Sequence, residues 1–262
     1  MRMLQTAATG LLAQTLNIDV LSNNIANLST TGYKRERAEF QDLLYENQQR
    51  VGTNSSDTGT IVPTGIQIGL GVAPGAVYRI HQQGSVLQTE SPLDVAIQGK
   101  GFFSVELPSG DLAYTRAGSF QLNGDGEIVT ADGYVVSPGI TIPQDAVDVT
   151  INKNGEVQVT IQGQQQPQLV GQLEINDFIN PAGLSATGDN LLLETEASGA
   201  PIIGIAGEDG IGTLLQGFLE SSNVDPVKEL TTLITAQRAY EMNSKVLQVG
   251  DELLQTLNQA KR

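Results

Sequence analysis

Leu4, Leu11, Ile18 and Ile25 recur every seven residues, with Ala7, Leu21 and Leu28 at the accompanying position. A seven-residue apolar repeat makes a helix lie along another helix, because only a partner keeps such a seam dry. The spacing predicts a helix over 3–29. It ends at Thr30-Thr31-Gly32, where glycine is free to take positive φ. The far end mirrors it: Asp225 reads as an N-cap, Pro226 as the first helical residue, and Leu233, Tyr240, Leu247 and Leu254 recur every seven. Each helix carries a second apolar stripe, Leu12, Leu16 and Val20 on the first and Met242, Val246, Val249 and Leu253 on the second. Helices apolar on two sides need two sets of neighbours. The chain supplies only these two long helices, so the missing neighbours are expected to be other copies.

Between the ends the pattern changes to short β-type runs: "DVAIQGKGFFSVEL", "LAYTRAGSFQL", "GEIVTADGYVV", "DVTINKNGEVQVTI" and "QLVGQLEINDF", separated by Gly, Asn and Asp turns. "SGDLAYT", "DGEIVTA" and "NGEVQVT" echo one another as a turn glycine, an acid and an alternating strand, a hairpin signal. Residues 46–65, "ENQQRVGTNSSDTGTIVPTG", follow neither period and read as an extended polar segment. The fold class is therefore α+β.

Charge divides the same way. Residues 1–80 carry six bases and six acids, and 223–262 carry five of each. The interval 81–222 sets 18 acids against Lys100, Arg116 and Lys153 and so holds the whole net charge of −15. An acidic middle between neutral ends speaks against nucleic acid and anionic membrane as partners. No segment approaches the roughly 20 apolar residues needed to cross a bilayer, and "MLQTAATGLLAQT" does not read as a cleaved signal peptide.

Chemistry finds little to use. Cysteine is absent and His81 is the only histidine, which leaves a transition-metal site almost no ligands. Residues 69–74, "GLGVAP", imitate a dinucleotide loop, then place proline sixth with no βαβ unit following, so a β turn is expected. Asn123-Gly124-Asp125-Gly126-Glu127 has the start of a calcium loop without its later bidentate glutamate, and reads as a hairpin turn. No catalytic residue, cofactor or metal site is assigned, and the chain is not read as an enzyme.

Three asparagines, Asn23, Asn24 and Asn27, interrupt the first helix in "LSNNIANLSTTGYKR". Asparagine is a poor interior helix residue because its amide competes for backbone hydrogen bonds. Either they face solvent and help end the helix, or they bond across subunit boundaries and set the register of a seam that leucines alone would let slide. Gln237, Arg238 and Asn243 pose the same choice. Arg238 pairs either with another subunit or, three residues on, with Glu241.

"SNNIANLSTTGYKR" (22–35) resembles the N-terminal signature of the bacterial flagellar rod and hook axial proteins, and "SSNVDPVKELTTLITAQRAYEMNSKVLQ" (221–248) their C-terminal one. "DVAIQGKGFFSV", "YTRAGSFQLNGDGEIVTADGYVV" and "SGAPIIGIAGEDGIGTLLQGFLESSNV" are similar to the central region of the hook and distal-rod branch. The length of 262 residues, short for a hook subunit, and the run "KRERAEFQDLLYENQQRVG" with the polar segment after it resemble the distal-rod branch. The proximal rod and the hook are the alternatives inside the family. A secreted β-rich binding protein or adhesin is the alternative outside it.

The resemblance implies an inner helical domain, 1–32 with 223–262, paired in coiled-coil fashion. It also implies an extended connecting domain, 33–80 with 196–222, and an outer all-β domain, 81–195. It implies a helical homopolymer, a straight hollow tube carrying torque from motor to hook, met by proximal rod proteins and hook protein at its ends and surrounded by the L and P rings. Export without a cleaved signal through the flagellar type III apparatus and a place from periplasm to outer membrane follow, with no membrane insertion. Leu4, Leu11, Ile18, Leu21, Ile25, Leu28, Leu233, Tyr240, Leu247 and Leu254 are the expected assembly seam. Because isolated helices of this composition are marginal, 1–30 and 225–262 are expected to be largely disordered in the monomer and to order on assembly.

Overall fold

The computed structural model describes residues 2–49, 65–162, 166–208 and 210–260, so most of the polar segment 46–65 lies outside the described residues. The chain divides into two compact units, one formed by 1–25, 36–78 and 226–262, the other by 26–35 and 79–225.

The first unit contains α1 (Arg2–Ala26), the strands β1 (Glu36–Asp42), β2 (Tyr45–Gln49), β3 (Ile66–Gly69) and β4 (Val72–Arg79), and α2 (Pro226–Ala260). Helix α1 stops three residues earlier than its apolar period. Asn27 turns the chain, its backbone carbonyl and Oδ1 accepting from Thr30 N at 3.3 Å and Thr30 Oγ1 at 3.0 Å. Helix α2 begins at Pro226 as the Asp-Pro pair requires, with Glu229 in its first turn, where the helix dipole favours a negative charge. Strand β1 pairs with β4 and β2 with β3. Bonds from Leu43 N to Gly71 O and Leu70 N to Leu44 O carry one ladder into the other. The "GLGVAP" stretch is the expected turn, Gly71 standing at φ +127° between β3 and β4.

The second unit is built from β5 (Val86–Gln88), β6 (Val95–Gln98), β7 (Phe102–Glu106), β8 (Leu112–Thr115), β9 (Gln121–Leu122), β10 (Ile128–Val129), β11 (Val135–Val136), β12 (Ala146–Ile151), β13 (Glu156–Ile161), β14 (Gln168–Gln172), β15 (Glu174–Asp177), β16 (Ser185–Gly188), β17 (Leu191–Leu193), β18 (Ile202–Ile205), β19 (Thr213–Gln216) and β20 (Phe218–Glu220). Its largest sheet runs β16-β17-β8-β7-β11-β10-β9; β15 joins through β7 and carries β18. A three-stranded sheet β12-β13-β14 and the pairs β19-β6 and β20-β5 complete it. The sequence's alternating runs fall on β6–β15, and the Asn123–Glu127 stretch is a hairpin turn, Asn123 Oδ1 accepting from Asp125 N and Glu127 N. The inward residues close into one core around Val95, Ile97, Phe103, Val105, Val157 and Ile175, none of them exposed. Phe103 and Phe120 meet edge-to-face at 5.0 Å.

Candidate assembly site

The two helices run antiparallel against each other. A Cβ on Gly250 would lie 2.4 Å from Leu4 Cδ2, one on Gly10 would lie 2.9 Å from Asn243 Nδ2, and Asn24 Nδ2 donates to Glu229 Oε2 at 3.4 Å. Gly250 therefore admits Leu4 only because it lacks a side chain. The predicted seam residues on α1 lie on its covered side: Leu21 is buried and Leu4, Leu11, Ile18 and Ile25 are half-buried, as is Leu28 beyond the helix end. On α2 the innermost line is Glu229, Ala236, Asn243 and Gly250, also spaced by seven. Leu233, Leu247 and Leu254 flank it half-buried, and Tyr240 is exposed. Small and polar residues at the centre let the backbones approach closely, so the leucines fall to the shoulders. The second stripe of α2 is uncovered at Met242, Val246, Val249 and Leu253. On α1, Leu12 is exposed, Leu16 half-buried and Val20 buried.

The polar residues divide. Asn24, 1% exposed, acts as a strand partner to Glu36: its Nδ2 donates to Glu36 O at 2.9 Å and its Oδ1 accepts from Glu36 N at 2.8 Å. Asn27 bonds Thr30 as above. Asn23 and Gln237 are exposed and Asn243 is half-buried. Arg238 reaches Glu241 at 3.0 Å, both side chains more than half exposed, a contact worth only a few tenths of a kcal/mol.

The strongest electrostatic feature in the second unit was not foreseen. Glu220, 1% exposed, accepts from Lys34 Nζ at 2.5 Å, Arg116 Nε at 2.6 Å and Gly84 N at 2.8 Å. The excess cation is absorbed by carbonyls. Lys34 also donates to Gln82 O, and the remaining guanidinium nitrogens of Arg116 donate to Ile97, Gly99 and Gly101. Burial acts to raise the Glu220 carboxyl, but Arg116 and Lys34 together outweigh it and hold it below the ordinary carboxylate range. Burial lowers the Lys34 ammonium, against the opposing pull of Glu220. Gly32 completes the turn beside them. At φ +70° a Cβ there would lie 2.7 Å from Ala117 N, and its amide donates to Glu220 O. The only sequence signal for this cluster was Arg116 itself, one of three bases in an acidic span and set inside a β-type run.

His81, the lone histidine, is half-buried, its ring edge-to-face with Phe102 at 5.7 Å, and it lines a cavity of about 180 Å³ with Lys34, Arg116 and Phe178. Neither ring nitrogen makes a hydrogen bond of good geometry among the described residues. Burial and then the cations Lys34, Arg79 and Arg116 push its pKa down to about 4, the Pro181 carbonyl opposing weakly. The ring is neutral at pH 7.

Comparison with known proteins gives this arrangement a lineage. Residues 4–34 match the family described as flagella basal body rod protein, 96–159 the flagellar hook protein FlgE/F/G D1 domain, and 215–260 the flagellar basal body rod FlgEFG protein C-terminal region. The chain is 60% identical to the flagellar basal-body rod protein FlgG of Caulobacter vibrioides over 99% of both chains. It is 52% identical to the FlgG of Agrobacterium fabrum over 97% of both, and 39% identical to that of Bacillus subtilis over the full length of both. An antiparallel helical pair from the chain ends, a β body between them and three family matches on those same parts lead to one conclusion: the chain belongs to the flagellar rod and hook family, as a structural subunit of the basal-body rod rather than an enzyme.

Proposed function

We propose that this chain is the subunit of the distal rod, polymerising into a straight hollow tube that carries torque from motor to hook. The observation that carries the reading is the stripe Met242, Val246, Val249 and Leu253 on α2, turned at about 100° per residue to one side of the face already used by α1 and left uncovered among the described residues. Covering these side chains fully is worth on the order of 1 kcal/mol each, repeated at every subunit around the tube.

In this reading the two helices form a coiled-coil-like inner layer (1–32 with 223–262), 33–80 with 196–222 a connecting layer, and the acidic 81–195 body the outermost one. Leu4, Leu11, Ile18, Leu21, Ile25, Leu28, Leu233, Tyr240, Leu247 and Leu254 pack the seams. Asn23, Gln237, Arg238 and Asn243 fix register between copies, while Asn24 and Asn27 hold the chain turn that follows α1. The free helices are largely disordered and order on assembly. Proximal rod and hook proteins meet the two ends of the tube, the L and P rings surround it, and the subunit arrives through the type III export apparatus at a site spanning periplasm to outer membrane.

A hook-like reading has one supporting observation: 30% identity over 98% of the chain to FlhP of Bacillus subtilis, described as a flagellar hook-basal body complex protein. Electron microscopy of the concentrated full-length protein, beside Leu247→Asp, separates these readings. Straight tubes from the parent and none from the variant are expected. Curved or supercoiled tubes overturn the distal rod in favour of the hook. A stably folded monomer, with both helices protected at all concentrations, overturns the homopolymer.

A further inference from the structure

The β unit closes its strand edges with side-chain amides. Gln83 accepts from Gly99 N and donates to Ile97 O, covering the end of β6. Gln216 accepts from Ile151 N and donates to Val149 O, covering the outer edge of β12. Asn223 accepts from Arg35 N and donates to Ile80 O and Gln82 O. Each amide offers the donor and acceptor that a neighbouring strand would offer, and so blocks pairing with another chain.

Strand β18 has no such cover among the described residues. It pairs with β15 on one side only. Its residues Ile202, Ile203 and Ile205 are 51%, 61% and 39% exposed, and no charge or proline interrupts Ile202–Ile205. An open, apolar, uncharged edge is a template for strand addition. Among the described residues, the three-residue β5 (Val86–Gln88), with Leu87 58% exposed, is a shorter edge of this kind, and a longer one also exists. Strand β14, Gln168–Gln172, is the outer strand of its sheet, is uncharged, and leaves Leu169 57% exposed.

Strands β14 and β15 are successive pieces of one run joined by Leu173, β14 pairing with β13 and β15 with β7 and β18. Pairing of two unlike edges of one chain makes a head-to-tail contact, the kind that generates open helical assemblies.

We propose that β18 of one copy of this chain pairs with the β14 edge of a second copy, a strand-addition contact between the β bodies that adds to the helical seams. The inference rests on the homopolymer reading above. Charge favours this occupant: residues 81–222 carry 18 acids against three bases, so two copies repel over most of this span, and these edges are uncharged strands where they approach without like charges opposed. Size makes the contact a secondary one. A four- or five-residue strand pair covers far less than the roughly 1,200 Å² of a stable free-standing interface, so it holds only where other contacts have already brought copies together.

The absence of cysteine makes the test clean. Full-length Ile203→Cys/Leu169→Cys is expressed in a flagellated host lacking its own rod subunit, and isolated basal bodies are treated with a short bis-maleimide that tolerates a one-residue slip. A ladder of cross-linked oligomers from the double variant, with each single variant monomeric on denaturing gels, is expected. Ile203→Lys, at an exposed position, should cut assembled subunits at least tenfold with its unfolding midpoint unchanged. Assembled rods without a ladder, or dimers from Ile203→Cys alone, overturn the pairing while leaving the homopolymer standing. Failure of the parent chain to build a rod overturns the homopolymer itself.

Discussion

In the β unit, nineteen buried side chains close into one cluster, with Ile97, Phe103 and Ile175 wholly inside. In the helical unit, α1 buries Ala7, Ala13, Val20, Leu21 and Asn24, and α2 only Glu229, Ala236 and Gly250. The β unit has enough apolar interior to hold itself together. The helical unit buries chiefly small and polar groups and leaves Leu12, Ile234, Met242 and Leu257 each more than half exposed. A chain divided this way carries one part finished in the monomer and one part that only a neighbour finishes.

The comparison breaks most sharply at Glu220. Glu220→Ala leaves Lys34 and Arg116 buried without their anion and should destabilise the β unit by about 3–5 kcal/mol. Urea unfolding followed by amide exchange in β7 and β8 reads this, with the helices unaffected. Acid gives the next largest effect. His81 has a folded pKa of about 4 against 6.5 unfolded, so below pH 6.5 the unfolded chain binds the proton first. Stability is then lost as pH falls from 6.5 towards 4, by on the order of 3 kcal/mol. Glu220, held below the usual carboxylate range, contributes stability present above its unfolded pKa and lost as pH falls through its depressed folded value. Melting temperature against pH should show the first slope in the parent and not in His81→Gln; equal slopes would remove the assignment.

Smaller effects sharpen the other side. Asn24→Ala strips two backbone groups of Glu36 of their buried partner and should cost about 1–3 kcal/mol, read in the assembled polymer as faster exchange in β1 and α1 with the β unit unchanged. Arg238→Ala should shift monomer stability by less than about 0.5 kcal/mol. A clear loss of polymer in sedimentation would then assign this side chain to the contact between copies, and unchanged polymer would leave it as an exposed pair with Glu241.

Periodicity made the helices and the hairpins legible, because a heptad and an alternation are local patterns set by where apolar residues fall. Leu4, Leu11, Ile18 and Leu21 mark the covered side of α1 for that reason. The centre of α2 was not legible in the same way: Glu229, Ala236, Asn243 and Gly250 share the seven-residue spacing but are small or polar rather than large and apolar, and what selects them is room for α1, a property of two surfaces together. The amides of Gln83, Gln216 and Asn223 were hidden for a related reason. Each acts on backbone far away in the chain, and a glutamine that caps a strand reads the same as one in solvent. The place of His81 was not legible because a single histidine carries no period at all.

The Glu220 cluster has a consequence in time. Its partners Lys34, Gly84 and Arg116 stand 186, 136 and 104 positions away. Contacts of such separation form slowly, because the intervening chain must be ordered before they return any free energy. Lys34 and Arg116 thus stay without their buried anion until β20, the last strand of the unit, arrives. A nascent chain emerging amino end first cannot complete this body early. It remains an open, threadable polymer for most of its synthesis and closes only when nearly all of it is present.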